Sequence, residues 1–150
     1  KPMTALRIGE AAKRTGVSAA NIRYYEKEGL LAPALRQEND YRLYGEQDLH
    51  RLRFIRMCRA MDMSLDEVRT LLALDWHNPA DCHAATSTIA AHLQHVRERL
   101  KELKALEKQL QSLKVLCDGH QAPCNLIAAL HAQADVALTP EPGSNVKRHV

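Results

Sequence analysis

Cys82, Cys117 and Cys124 are the residues whose type and spacing could do chemistry together. Three thiols are the groups that one shared site could be built from. Cys82 and Cys117 flank a stretch that reads as a single helix. Leu93, Val96, Leu100, Leu103, Leu106, Leu110 and Leu113 recur every three or four residues and share one stripe. At about 1.5 Å per residue, a helix of that length holds its two cysteines about 52 Å apart, so they cannot meet within one chain. Two copies paired antiparallel about a two-fold axis would bring Cys82 of one towards Cys117 of the other. Cys124 follows Cys117 across the loop Asp118-Gly119-His120-Gln121-Ala122-Pro123. Three thiols then converge at each end of the dimer, in two identical sites. Spacing alone also admits a dimerisation helix with incidental cysteines, because Cys-x6-Cys is a loose pair.

The histidines add candidates of lower specificity. His120 lies inside the loop between two of the thiols. His92 and His95 stand three apart on the long helix, either half of a second metal site or a solvated pair. Cys58 falls on the apolar stripe of a different helix and is expected to be a buried structural thiol. No nucleophile–base pair, glycine-rich phosphate loop or paired carboxylates stand out, so an enzyme is not expected.

Composition bounds the rest. The chain has 150 residues, room for one compact lobe plus an extension, and a net charge of +3, which suits nucleic acid without requiring it. No run of 18 apolar residues occurs, so no membrane span is expected. Four cysteines without an evident secretory leader point to free thiols in a reducing cytoplasm.

The elements before the long helix read as a DNA-binding lobe. A short helix over Gly9–Thr15 ends at Gly16, where a left-handed cap belongs, and Ser18 caps a second helix through Lys27. Two short helices joined by a Gly-containing turn make a helix-turn-helix. The second helix carries Asn21, Arg23, Tyr24 and Tyr25, types that read base edges and hold phosphates in a major groove. Asn39-Asp40 marks a turn between two short strands, a small wing whose Arg36, Tyr41 and Arg42 could reach a DNA backbone. Tyr44 is expected to be core. A third helix spans Glu46–Met61. A fourth opens on the capping box Ser64/Glu67 and ends near Trp76. His77-Asn78-Pro79 breaks the chain, and Asp81 can cap the long helix. After Cys124 a last helix is expected over Asn125–Gln133, then a flexible tail. The expected organisation is a winged helix-turn-helix lobe at 5–76, a dimerisation helix at 80–117, a loop and short helix at 117–133, and a tail at 134–150.

Arg7-Ile8-Gly9-Glu10, Ile22-Arg23-Tyr24-Tyr25-Glu26, Gly29-Leu30-Leu31, Tyr41-Arg42-Leu43-Tyr44 and Leu52-Arg53-Phe54-Ile55 together resemble the MerR family of bacterial transcription regulators. The resemblance runs from Leu6 to about Gln133. It implies a mainly α fold: a winged helix-turn-helix lobe, a long antiparallel coiled-coil dimerisation helix, and a C-terminal metal-binding loop with a short helix. The candidate DNA contacts are then Ser18, Asn21, Arg23, Tyr24, Tyr25, Arg36, Tyr41 and Arg42. Cys82, Cys117 and Cys124 match the thiols of the family's divalent-metal sensors; its copper(I) sensors look like having Ser at the first position. Three thiolates carry about −3, which favours a soft dication. The short loop looks closest to the cadmium and lead regulators. Zinc sensors of the family use a loop His, which His120 could supply, and mercury is a further alternative.

The resemblance further implies a homodimer on a palindromic promoter operator. Metal binding would distort the DNA so that RNA polymerase can use it, switching on efflux or resistance genes. Rival readings are a same-fold sensor of an oxidant or organic cation, and a metal buffer with no DNA role. The buffer leaves Arg23, Tyr24 and Tyr41-Arg42 unexplained.

Overall fold

The computed structural model describes residues 5–32, 35–36, 42–120 and 122–136. These fall into two units, one up to Thr88 and one from Ile89 onward. The first unit holds helices α1 (Ile8–Thr15) and α2 (Ala19–Lys27), strands β1 (Leu35–Arg36) and β2 (Arg42–Leu43), helices α3 (Glu46–Ala60) and α4 (Leu65–Leu72), and the opening turns of α5 (Pro79–Lys114). The second holds the rest of α5 and α6 (Asn125–Val136).

Local signals explain most helix ends in the lobe. Gly16 adopts φ 72° and its N–H donates to the Ala12 carbonyl, closing α1 in the left-handed conformation that glycine tolerates best. The Thr15 hydroxyl stitches the turn, donating to the Ala11 carbonyl at 2.8 Å and accepting from Val17 N–H at 3.2 Å. Ser18 Oγ then accepts from Asn21 N–H at 3.2 Å to cap α2. At α4 both arms of the expected capping box form: Glu67 N–H donates to Ser64 Oγ at 3.1 Å and Ser64 N–H to Glu67 Oε1 at 3.0 Å.

The apolar stripes of these helices meet in one core: Ala11, Ile22, Leu30, Leu49, Leu52, Ile55 and Val68 are fully buried. Cys58 joins them at 1% exposure, as expected of a structural thiol, and burial pushes its pKa up. The two strands pair antiparallel, with Leu35 opposite Leu43 and Arg36 opposite Arg42. Leu6 and Tyr44 exchange both backbone hydrogen bonds, at 2.8 and 2.7 Å, which ties the wing to the start of α1.

Several boundaries differ from expectation. α4 stops at Leu72, not near Trp76, because residues 75–78 fold into side-chain-supported turns: the His77 N–H donates to Asp75 Oδ1 at 3.0 Å. The cap of α5 is Asn78, whose Oδ1 accepts from Ala80 N–H at 3.0 Å, with Pro79 in the first helical position. Asp81, expected there, instead accepts from the Asp75 N–H at 2.8 Å. α5 ends at Lys114, so Cys117 lies beyond the helix. α6 runs one turn further than expected, to Val136, so residues 134–136 are helical; the tail expected from 137 onward lies outside the described residues.

Candidate metal centre and nucleic-acid interface

Two sets of residues carry the functional expectation: α2 and the wing lie in the first unit, while the thiols are divided, Cys82 in the first and Cys117 and Cys124 in the second. The recognition helix comes first. α2 is fixed to the lobe by its buried face, Ile22 and Tyr25, and by two arginines that hold the C-cap Glu28 and the turn that follows it. Arg51 Nε donates to the Leu30 carbonyl at 2.6 Å, and Arg69 Nη2 to the Glu28 carbonyl at 2.8 Å. Both arginines come from later helices, and nothing in the local sequence of α2 announces them.

On the outward face of α2 the structure leaves Asn21, Arg23 and Tyr24 exposed, the last at 44%. Tyr25 is different. It is 6% exposed and belongs to the core cluster, its ring centroid 5.9 Å from that of Tyr24. Sequence reasoning grouped the two tyrosines; helical geometry separates neighbouring residues by about 100° and sends one inward. Tyr25 therefore packs into the core of the lobe, and Asn21, Arg23 and Tyr24 form the exposed face of α2. Ser18 is exposed, with its hydroxyl engaged as the helix cap.

The wing residues divide as well. Arg42 pairs with the Glu26 carboxylate, which also accepts the Tyr44 hydroxyl. The Glu26 side chain is only 8% exposed and Arg42 39%. Arg42, expected to reach DNA, has its guanidinium on a nearly buried carboxylate that it neutralises. Tyr44, 1% exposed, has its hydroxyl pKa raised by burial, with the nearby Arg42 and Arg23 charges opposing the shift. Tyr41 and the Arg36 side chain lie outside the described residues.

The thiols of the proposed metal centre sit at sites unlike that of Cys58. Cys82 is exposed on the first turns of α5 and borders a groove of about 1400 Å³ with Arg51, Phe54, Leu72, Trp76 and Asp81. Cys117 and Cys124 are half-buried and flank the loop after α5. The Gly119 N–H donates to Cys117 Sγ at 3.4 Å, and the His120 N–H to Asp118 Oδ1 at 2.9 Å. Cys124 stands at the head of α6, its carbonyl accepting from Ala128 N–H at 3.1 Å. Among the described residues no cysteine is in a disulfide. A soft cation needs thiolates that it can reach, and Cys82, Cys117 and Cys124 meet that condition where the buried Cys58 does not. His120 is exposed in the loop. Of the second histidine pair, His95 is exposed but His92 is buried at 9%, so the pair is not simply solvated.

The leucine stripe of α5 is open in the single chain: Leu93, Val96, Leu100, Leu103, Leu106 and Leu110 are each 43–55% exposed. Among the described residues, no helix is long and apolar enough to cross a membrane.

Comparison with known proteins agrees with this arrangement. Residues 6–75 match the MerR HTH family regulatory protein profile, and residues 49–113 match the family's DNA-binding profile. The chain is 38% identical to heavy metal-dependent transcription regulator 2 of Rhizobium meliloti, over 92% of this chain and 97% of the relative. It is 37% identical to the HTH-type transcriptional regulator ZntR of Escherichia coli K12, over 85% of this chain and 94% of that one. Among solved structures, the lead(II) complex of a transcription regulator from Ralstonia metallidurans CH34 superposes with a TM-score of 0.68 at 40% identity, covering 83% of this chain and 98% of that one. With its helix-turn-helix lobe, wing and long helix, this chain belongs to the MerR family of DNA-binding transcription regulators.

Proposed function

We propose that the chain is a homodimeric, metal-responsive regulator in which a soft divalent ion, cadmium or lead, is held by Cys82 of one copy and Cys117 and Cys124 of the other. The observation that carries this reading is the contrast among the cysteines: three are exposed or half-buried and one is sealed in the core. Relatives named for heavy metals and a lead-bound structural neighbour support it. The open leucine stripe on α5 supports pairing of two copies through that helix.

Cys82 of one copy and Cys117 and Cys124 of the other would hold the dication, which would supply a soft Lewis acid for thiolates. Cys117 and Cys124 bracket residues 118–123, so engaging both orders that loop. Cys82 sits at the start of α5, next to the lobe that carries α2, so a pull on it biases the lobe's orientation. The operator is a palindromic promoter site, distorted in the metal-bound state so that RNA polymerase can use it, and the targets are efflux or resistance genes. Bending a duplex costs several kcal/mol, so a small bias in the lobes is consequential.

A zinc-responsive version of the same reading has one observation in its favour: His120 is exposed between Cys117 and Cys124. Metal competition on the reduced protein, followed by thiolate-to-metal ultraviolet absorption, separates the two. Cadmium or lead winning, with three thiols protected per ion, is the expected result. Zinc winning, with the affinity lost in His120→Ala, moves the function to zinc. Cys82→Ser is expected to abolish the response and spare DNA binding; loss of DNA binding would make Cys82 structural.

A further inference from the structure

Arg53, Arg56 and Arg59 of α3 have no part in the reading above, and one of them sits on the helix-turn-helix itself. A cavity of about 250 Å³ lies between the α1–α2 turn and the end of α3, lined by Gly16, Val17, Asn21, Tyr25, Arg56 and Arg59. The Arg56 guanidinium rests directly on Gly16. A Cβ built there would stand 2.7 Å from Nη1 and 2.8 Å from Cζ, closer than packed atoms come. Gly16 is favoured by its φ of 72°, and the absence of a Cβ lets the guanidinium lie flat on the turn.

The two arginines of this cavity are used differently. Arg59 Nη1 donates to the Met63 carbonyl at 2.9 Å and secures the turn after α3. Among the described residues, Arg56 makes no hydrogen bond or ion pair, and it is exposed. It is a permanent charge with a planar fork of five donors, the geometry that suits phosphate oxygens. It lies beside Asn21, on the exposed face of α2. A helix in the major groove has a phosphate backbone on either side, so a cation at its shoulder meets phosphate and not a base edge.

We infer that Arg56, seated on Gly16, is a DNA-phosphate clamp that sets the depth and register of α2 in the groove, while Arg59 holds the seat. The inference rests on the DNA-binding reading of this lobe.

The test is salt-dependent binding, by fluorescence anisotropy, of a duplex that the wild-type chain selects from a random pool, and of a scrambled duplex. Salt runs from about 50 to about 200 mM. Arg56→Gln is expected to lower the slope of log affinity against log salt by about 0.9 per bound protomer, on both duplexes. Affinity near 0.1 M salt should fall about eightfold per protomer, the size of one released counterion. Arg56→Lys keeps the charge and is expected to keep most of the slope. Thermal unfolding of Arg56→Gln should match wild type, because no intramolecular bond is lost, whereas Arg59→Gln should melt earlier. An unchanged slope in Arg56→Gln overturns the clamp, as does a loss confined to the selected duplex, which would make Arg56 a base reader. A lowered melting temperature with the slope intact would make it structural. A wild-type chain that selects no duplex and shows no salt-dependent binding refutes the DNA reading itself, a different failure from that of Arg56 alone.

Discussion

Arg42→Ala distinguishes a wing arginine that touches DNA from one that holds the lobe together. In the structure its guanidinium faces Glu26, whose side chain is 8% exposed, and the same carboxylate accepts the Tyr44 hydroxyl. Removing Arg42 leaves a nearly buried carboxylate with one neutral donor. A fully buried pair broken on one side costs about 3–5 kcal/mol, and an exposed pair at most about 1. Arg42 is 39% exposed, so water reaches its end and screens the charge, which puts the expected loss near 2 kcal/mol. For a lobe of this size that lowers the melting temperature by roughly 10 °C. Circular dichroism melts, with urea titration for the free energy, measure it. The double variant Glu26→Gln/Arg42→Ala should recover part of the loss, because the stranded charge is gone. The reasoning is refuted if Arg42→Ala melts like wild type yet binds DNA more weakly; Arg42 would then be a DNA contact that happens to rest near Glu26.

Four further predictions test other parts of the structure. A thiol titration of the native, metal-free protein should show three fast thiols and one slow one, the slow one vanishing in Cys58→Ala; four equally fast thiols would remove the distinction on which the metal site rests. Because burial raises the folded-state pKa values of Cys58 and Tyr44, both groups are protonated in the fold where the unfolded chain would ionise. Their contribution is intact below about pH 8.5 and is lost as pH rises through the folded values, so stability should fall on the alkaline side; Cys58→Ala should flatten the first part of that fall. Ser64→Ala should cost about 1 kcal/mol through loss of its bond to the Glu67 N–H, measured by urea unfolding. Leu103→Lys, at the middle of the open stripe, should weaken self-association by about two orders of magnitude in sedimentation equilibrium; an unchanged dimer would place the interface elsewhere.

What the sequence by itself determined is whatever depends on partners a few residues away. Gly16 after Thr15, Ser18 before Asn21 and the Ser64–Glu67 box each close hydrogen bonds within one helical turn, so their residue types announce the helix ends. The period of Leu93 to Leu113 likewise announces a long amphipathic helix. Tertiary structure alone decided the roles of residues whose partners are far along the chain. Arg42 reads as a free wing cation until Glu26 is brought beside it. Tyr25 reads as a twin of Tyr24 until the core claims one face of α2. Arg51 and Arg69 read as surface charge until their guanidiniums are found on the carbonyls of Leu30 and Glu28 just after α2, 21 and 41 residues away. Arg56 reads as one of four α3 arginines until the fold lays it on Gly16. A charged side chain carries no mark of which distant group will neutralise it, because long-range pairing is set by the packing of whole elements and not by local spacing.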